Sequence, residues 1–205
     1  MLADKGLNAS IVDVTFYNDT LFVAHRYKIS TVDRTNGTVK DIIVGLPTAG
    51  DHHVNQMAFD GDRIYFGTGS VTNAGVVSGN DPMNSQWLSN APKAHDVPAQ
   101  DITLASKNYP MPNPLTTEQN DNATTGDFVP FGNTTDEGRV VKGDIKCTSC
   151  IMSTNLDGTD LQLVGWGFRN PSGLAFNDEG RLFAVVHGAG ERGARPIAND
   201  SDKFY

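Results

Sequence analysis

The chain is poor in the features that most quickly identify a protein. Its 205 residues contain only two cysteines, Cys147 and Cys150. They form a single C-x-x-C, whereas a four-thiolate zinc site needs a second pair. No strand-to-helix context surrounds them, which argues against a thioredoxin-like redox motif and leaves a local disulfide or inert thiols. No apolar run approaches the roughly 20 residues that span a bilayer. The opening residues 1–6 lack the basic and apolar regions of a secretory signal. Basic residues are outnumbered, 16 against 24 acidic, for a net charge of −8, which disfavours a nucleic-acid backbone or an anionic membrane as partner. No sustained 3.6-residue apolar period occurs, so helix is expected to be scarce.

What the chain does have is strand signal. Short β-branched and aromatic runs at 11–16, 21–24, 27–32 and 39–44 are separated by Asn, Asp and Gly at hairpin spacing. Asn36-Gly37 predicts a type I′ turn. Further strands are expected at 150–154 and 161–166 around the turn Asn155-Leu156-Asp157-Gly158. Two segments, 51–69 and 168–188, read as copies of one unit. In each, an apolar run ending Ala-Phe precedes a Gly-bearing turn, an Arg and a second apolar run. Such repetition points to a propeller. Residues 78–145 break the pattern: Pro92, Pro98, Pro110, Pro112, Pro114 and Pro130 exclude regular interior strands through most of this insertion. Trp87, Tyr109, Phe128 and Phe131 are candidates to pin it as a cap. The remaining sheet amounts to roughly three blades of about 40–50 residues, fewer than the four with which propellers begin to close. The chain therefore reads as residues 1–205 of a partial propeller, a piece of a longer protein whose signal lies elsewhere. Asn-x-Ser/Thr tripeptides at Asn8, Asn18, Asn36, Asn122, Asn133 and Asn199 fit an extracellular or periplasmic protein.

Polar groups stand before the first strand of each repeated unit. His52 has the ordinary pKa of a general base near neutrality, and Asp51 beside it is placed to orient the ring. Strand alternation allows only one of His52 and His53 to face a central channel. In Arg169-Asn170-Pro171, the proline holds Asn170 extended. Arg169 offers a planar donor fork for a carboxylate, a quinone oxygen or a phosphate, or for an Asp of a neighbouring blade.

These strings carry a family resemblance. Gly50-Asp51-His52-His53, Gly69-Ser70-Val71-Thr72-Asn73-Ala74-Gly75 and Gly167-Phe168-Arg169-Asn170-Pro171-Ser172-Gly173-Leu174-Ala175-Phe176 resemble the glucose/sorbosone dehydrogenases, six-bladed β-propellers that use pyrroloquinoline quinone (PQQ) and Ca²⁺. The resemblance implies an all-β, six-bladed propeller fold. It also implies oxidation of a sugar or alcohol, with hydride passing to the quinone and on to an electron acceptor. His52 then matches the catalytic base and Asp51 its acidic neighbour. Arg169 and Asn170 match the cofactor clamp, and Gly188 and Ala189 match the backbone carbonyls that hold calcium. Val71 stands where the family has a glutamine, and His187 where an amide or acid is usual. Two other readings of the same architecture are a non-catalytic ligand- or protein-binding propeller and a calcium-dependent lactonase-type hydrolase. The latter needs oxygen ligands from residues such as Asp51, Asn55, Asn73 and Asn170 to converge on one metal.

Overall fold

The computed structural model describes Leu7 and residues 10–205; the opening segment 1–6 and the Asn8 tripeptide lie outside the described residues. The chain is all-β and built of antiparallel sheets. Among the described residues the only helical turn is a 3₁₀ segment at Asn84–Gln86.

β1 (Ile11–Tyr17), β2 (Thr20–His25), β3 (Lys28–Val32) and β4 (Val39–Ile43) form a four-stranded meander. Its type I′ turn is at Asn18-Asp19, where both residues take positive φ, 45° and 60°, between the paired Tyr17 and Thr20. The turn expected at Asn36-Gly37 is different. Only Gly37 has positive φ, and the loop closes by its N–H donating to the Asp33 carbonyl. The Asp33 carboxylate accepts the amides of Thr35 and Asn36. An Asp able to cap the loop internally outcompetes the Asn-Gly signal.

β5 (Val54–Asp60) and β6 (Arg63–Thr68) begin a second sheet, which the chain leaves at Thr68. Within the insertion, β7 (Ile102–Thr103), β8 (Tyr109–Pro112), β9 (Asn122–Thr125) and β10 (Val140–Val141) make two small ribbons, β7 with β10 and β8 with β9. Pro110 and Pro112 are tolerated because β8 has a single neighbour. The chain returns as β11 (Cys150–Asn155), which pairs with β6, and β12 (Gln162–Trp166). The interruption thus runs from 69 to 149, wider than its composition marks, because Val71 and Val77 join Trp87 and Leu88 in a core of the insertion's own. Phe131 packs there too, whereas Tyr109 lies under the Lys107 ammonium. Cys147 and Cys150, at the return, are buried and joined as a disulfide. β13 (Asn170–Phe176), β14 (Leu182–His187) and β15 (Lys203–Phe204) form a third sheet.

The three main sheets stack in chain order, and period-two alternation explains how. Ile64, Phe66, Cys150 and Met152 on one face of the middle sheet meet Phe22, Ala24, Ile29 and Ile43 of the first. Ala58, Tyr65 and Ile151 on its other face meet Leu174, Ala184 and Val186 of the third. The repeated Ala-Phe is the stitch between sheets. Phe59 stacks on Tyr17 with ring centroids 4.6 Å apart, and Phe176 meets Tyr65 edge-on at 4.9 Å. Each leading strand also bulges near its start, between Ile11 and Asp13, Val54 and Met57, and Pro171 and Gly173. Such bulges re-aim side chains.

Phe66 is fully buried at the centre of this stack. Phe66→Ala is expected to cost about 3–5 kcal/mol, read from the chemical-denaturation midpoint. A loss under about 1 kcal/mol would contradict the placement of the core.

Candidate functional site

The site lies where β6 ends against the start of β13. Gly67 on β6 and Gly69 just past its end make the approach possible. A Cβ at Gly67 would lie 2.4 Å from the Pro171 carbonyl oxygen, and one at Gly69 would lie 2.3 Å from His52 Cβ and 2.4 Å from Asn170 Oδ1. Any larger residue would drive these groups apart. The Ser70 amide donates to the Arg169 carbonyl at 2.8 Å and the Gly69 amide to that of His53 at 3.3 Å. Residues of the two repeated units, 118 positions apart in the case of His52 and Asn170, are thereby brought to one place.

His52 Nδ1 lies 2.8 Å from the Ser70 carbonyl oxygen. A carbonyl only accepts, so Nδ1 carries the proton and Nε2 is a bare lone pair. His53 turns to another loop, its Nδ1 3.3 Å from the Thr48 carbonyl. Burial lowers the His52 pKa to about 4, and the charges of Arg169, Arg192 and His187 act in the same direction against the Ser70 bond. The imidazole is neutral at physiological pH.

Asp51 does not orient His52. Its carboxylate accepts the Trp87 indole N–H at 2.8 Å on Oδ1 and the Arg192 guanidinium at 2.5 Å on Oδ2. Arg192 also holds Asp81 at 2.5 Å, so one guanidinium from the tail bridges two buried carboxylates. Burial raises the Asp51 pKa, opposed by the Trp87 and Arg192 bonds. Burial also works against the Arg192 charge, but its bonds to Asp81 and Asp51 outweigh that and raise its pKa. With donors on both oxygens we read Asp51 as ionised.

Asn170 is buried. Its Oδ1 accepts from Asn55 Nδ2 at 2.8 Å, and its Nδ2 donates to His187 Nδ1 at 3.0 Å. Asn55, re-aimed by the β5 bulge, also donates to the Pro171 carbonyl. Arg169 donates through Nε to the Asn73 carbonyl at 3.0 Å, through Nη1 to the Gly188 carbonyl at 2.7 Å and through Nη2 to Asn73 Oδ1 at 3.2 Å. One N–H remains on each terminal nitrogen. Burial lowers the Arg169 pKa, with Arg192 adding to it. A pocket of about 400 Å³ lies against Arg169, walled by Ser70, Asn73, Phe128, Trp166 and Arg195.

No protein-family profile and no curated protein matches this chain. The fit of each implied group therefore rests on the residues themselves. Calcium does not fit at the Gly188 carbonyl. The Gly188 carbonyl is already bonded to the Arg169 guanidinium, and a divalent cation there would face that positive charge. The Gly188 and Ala189 amides donate to Asp202 and Asp200. The ligands a lactonase would need do not converge either: the Asp51 oxygens accept from Trp87 and Arg192, Asn170 Oδ1 accepts from Asn55, and Asn73 Oδ1 accepts from Arg169 and the Gly190 amide. A quinone fits better, because the remaining Arg169 N–H groups are donors for its oxygens and carboxylates. From the sequence, Asn55 is a candidate only as a metal ligand and Trp87 only as a pin for the insertion, and neither Ser70 nor Arg192 is given a part in the site.

Because the folded His52 pKa lies below its unfolded value of 6.5, its contribution to stability is complete above about pH 6.5. That contribution is lost as the pH falls toward 4, by about 3 kcal/mol. The His52 ring protons should titrate with a midpoint near 4 by NMR; a midpoint near the ordinary value would contradict the burial. Arg192→Ala strands Asp51 and Asp81 and should cost about 3–5 kcal/mol by denaturation at pH 7. A neutral result would show that the bridge is dispensable.

Proposed function

We propose that this chain is part of a six-bladed β-propeller sugar dehydrogenase of the glucose/sorbosone type, with His52 as its base. The carrying observation is the half-buried imidazole whose Nδ1–H is committed to the Ser70 carbonyl, leaving Nε2 as an acceptor within the electrostatic reach of Arg169. Three stacked sheets with equivalent bulged leading strands and equivalent Phe stitches support the propeller. In this reading Nε2 takes the proton from a substrate hydroxyl as the C–H beside it is oxidised. The neutral form needed is populated at any pH well above 4. Arg169 and Asn170, themselves fixed by Asn73, Gly188, Asn55 and His187, hold the acceptor beside the base. Bound there, PQQ supplies the two-electron oxidant for the hydride. Export to an oxidising compartment is part of the proposal. It is supported by the buried Cys147–Cys150 disulfide and by the exposure of Asn18, Asn36, Asn122, Asn133 and Asn199.

A non-catalytic, ligand-binding propeller is favoured by one observation. Val71, where a glutamine contact would be expected, is buried and offers nothing to a ligand. Dye-linked oxidation of aldoses by the protein supplemented with PQQ separates the two readings. Quinone-dependent turnover that His52→Ala reduces by about 10²–10⁴-fold supports the dehydrogenase. Full activity in that variant overturns the role of His52, and a quinone-induced thermal shift without turnover selects the binding module.

A further inference from the structure

Asp96 lies in the Pro-rich insertion, between the 3₁₀ turn and β7, and its carboxylate is fully buried. Its pKa is raised by burial and held back by bonds to Thr72, Val71 and Thr148. No ion pair involving it occurs among the described residues. A buried carboxylate satisfied only by neutral donors is costly, so its position asks for a reason.

The reason lies in what it holds. Asp96 Oδ1 accepts the Val71 amide at 2.7 Å, and Oδ2 accepts the Thr72 hydroxyl at 2.5 Å and the Thr72 amide at 3.2 Å. The Val71 N–H and the Ser70 C=O belong to one peptide unit, planar and trans, so they point in opposite directions. The far end of that unit is the oxygen that receives the His52 Nδ1 proton. Asp96 and His52 therefore grip opposite ends of the same rigid group. A carboxylate on the N–H polarises the peptide and strengthens its carbonyl as an acceptor. The loop is clasped further by the Asp51 amide donating to the Val71 carbonyl, and by a Gly50 whose Cβ would strike it. Thr148, at the other end of the insertion, binds the backbone of Val97 next to Asp96, which ties the carboxylate to the second sheet.

We propose that Asp96, rather than Asp51, is the carboxylate that positions the His52 imidazole, acting through the Ser70–Val71 peptide and fixing the tautomer that leaves Nε2 bare. This rests on the reading of His52 as the base, and it gives the insertion a task in the site: Asp96 is a positioning residue supplied by the segment that interrupts the second sheet.

The test is the tautomer itself, read from the ring ¹⁵N shifts of His52 at pH 7 in the whole chain. The unaltered protein should show one neutral form protonated at Nδ1. Asp96→Asn places an NH₂ group among donors and should give a mixture of the two neutral tautomers. An Asp96→Asn protein that folds and keeps the single Nδ1–H form overturns the proposal. If that variant does not fold, the unaltered protein decides through a scalar coupling across the hydrogen bond, from the Val71 amide nitrogen to the Asp96 carboxyl carbon. Its presence supports the proposal and its absence overturns it. The reading of His52 as base fails separately: if His52→Ala keeps full activity while Asp96→Asn still mixes the tautomers, the relay stands and the catalytic role does not.

Discussion

The close approach of β13 to the end of β6 is the constraint on which the site depends. It exists because Gly67 and Gly69 carry no Cβ where Pro171, His52 and Asn170 press against the strand. Through that gap the end of the first repeated hairpin meets the start of the second, the Ser70 amide donating to the Arg169 carbonyl. The hydrophobic stack behind it is generic sheet-on-sheet packing. At the gap the stack becomes a place where chemistry from two distant segments converges.

Around that gap an acidic chain gathers its positive charge. Arg169 and Arg192 both act on His52, and Arg195 stands beside Asp127 at the mouth of the neighbouring pocket. Arg192 is balanced by two buried carboxylates, whereas Arg169 is held by carbonyl oxygens and an amide and keeps its charge uncompensated by direct ion pairing. A rim of this kind suits an anionic ligand better than a metal. The same arrangement removes the Gly188 carbonyl from a calcium site.

The strands were legible because short β-branched and aromatic runs are bounded by turns marked by Asn, Asp and Gly, and the two Ala-Phe hairpins were legible as copies. His52, Arg169 and Asn170 could be picked out because their types stand just ahead of those hairpins. The rest depended on contacts that sequence distance hides. Asp51 sits next to His52 in the chain, yet its partner Arg192 is 141 residues away. Asp96 lies in a stretch whose composition suggests only a loop, and its importance comes from one peptide group brought to it by folding. Asn36-Gly37 misled for a local reason, the capping carboxylate of Asp33 three residues before it.

The most direct test of the account is the convergence at Gly69. The position a Cβ would take there is that of a glycine Hα, so the account predicts nuclear Overhauser contacts from the Gly69 Hα protons to both the His52 Hβ protons and the Asn170 side-chain amide. Their absence in a folded protein would mean that the two repeated units do not share a site.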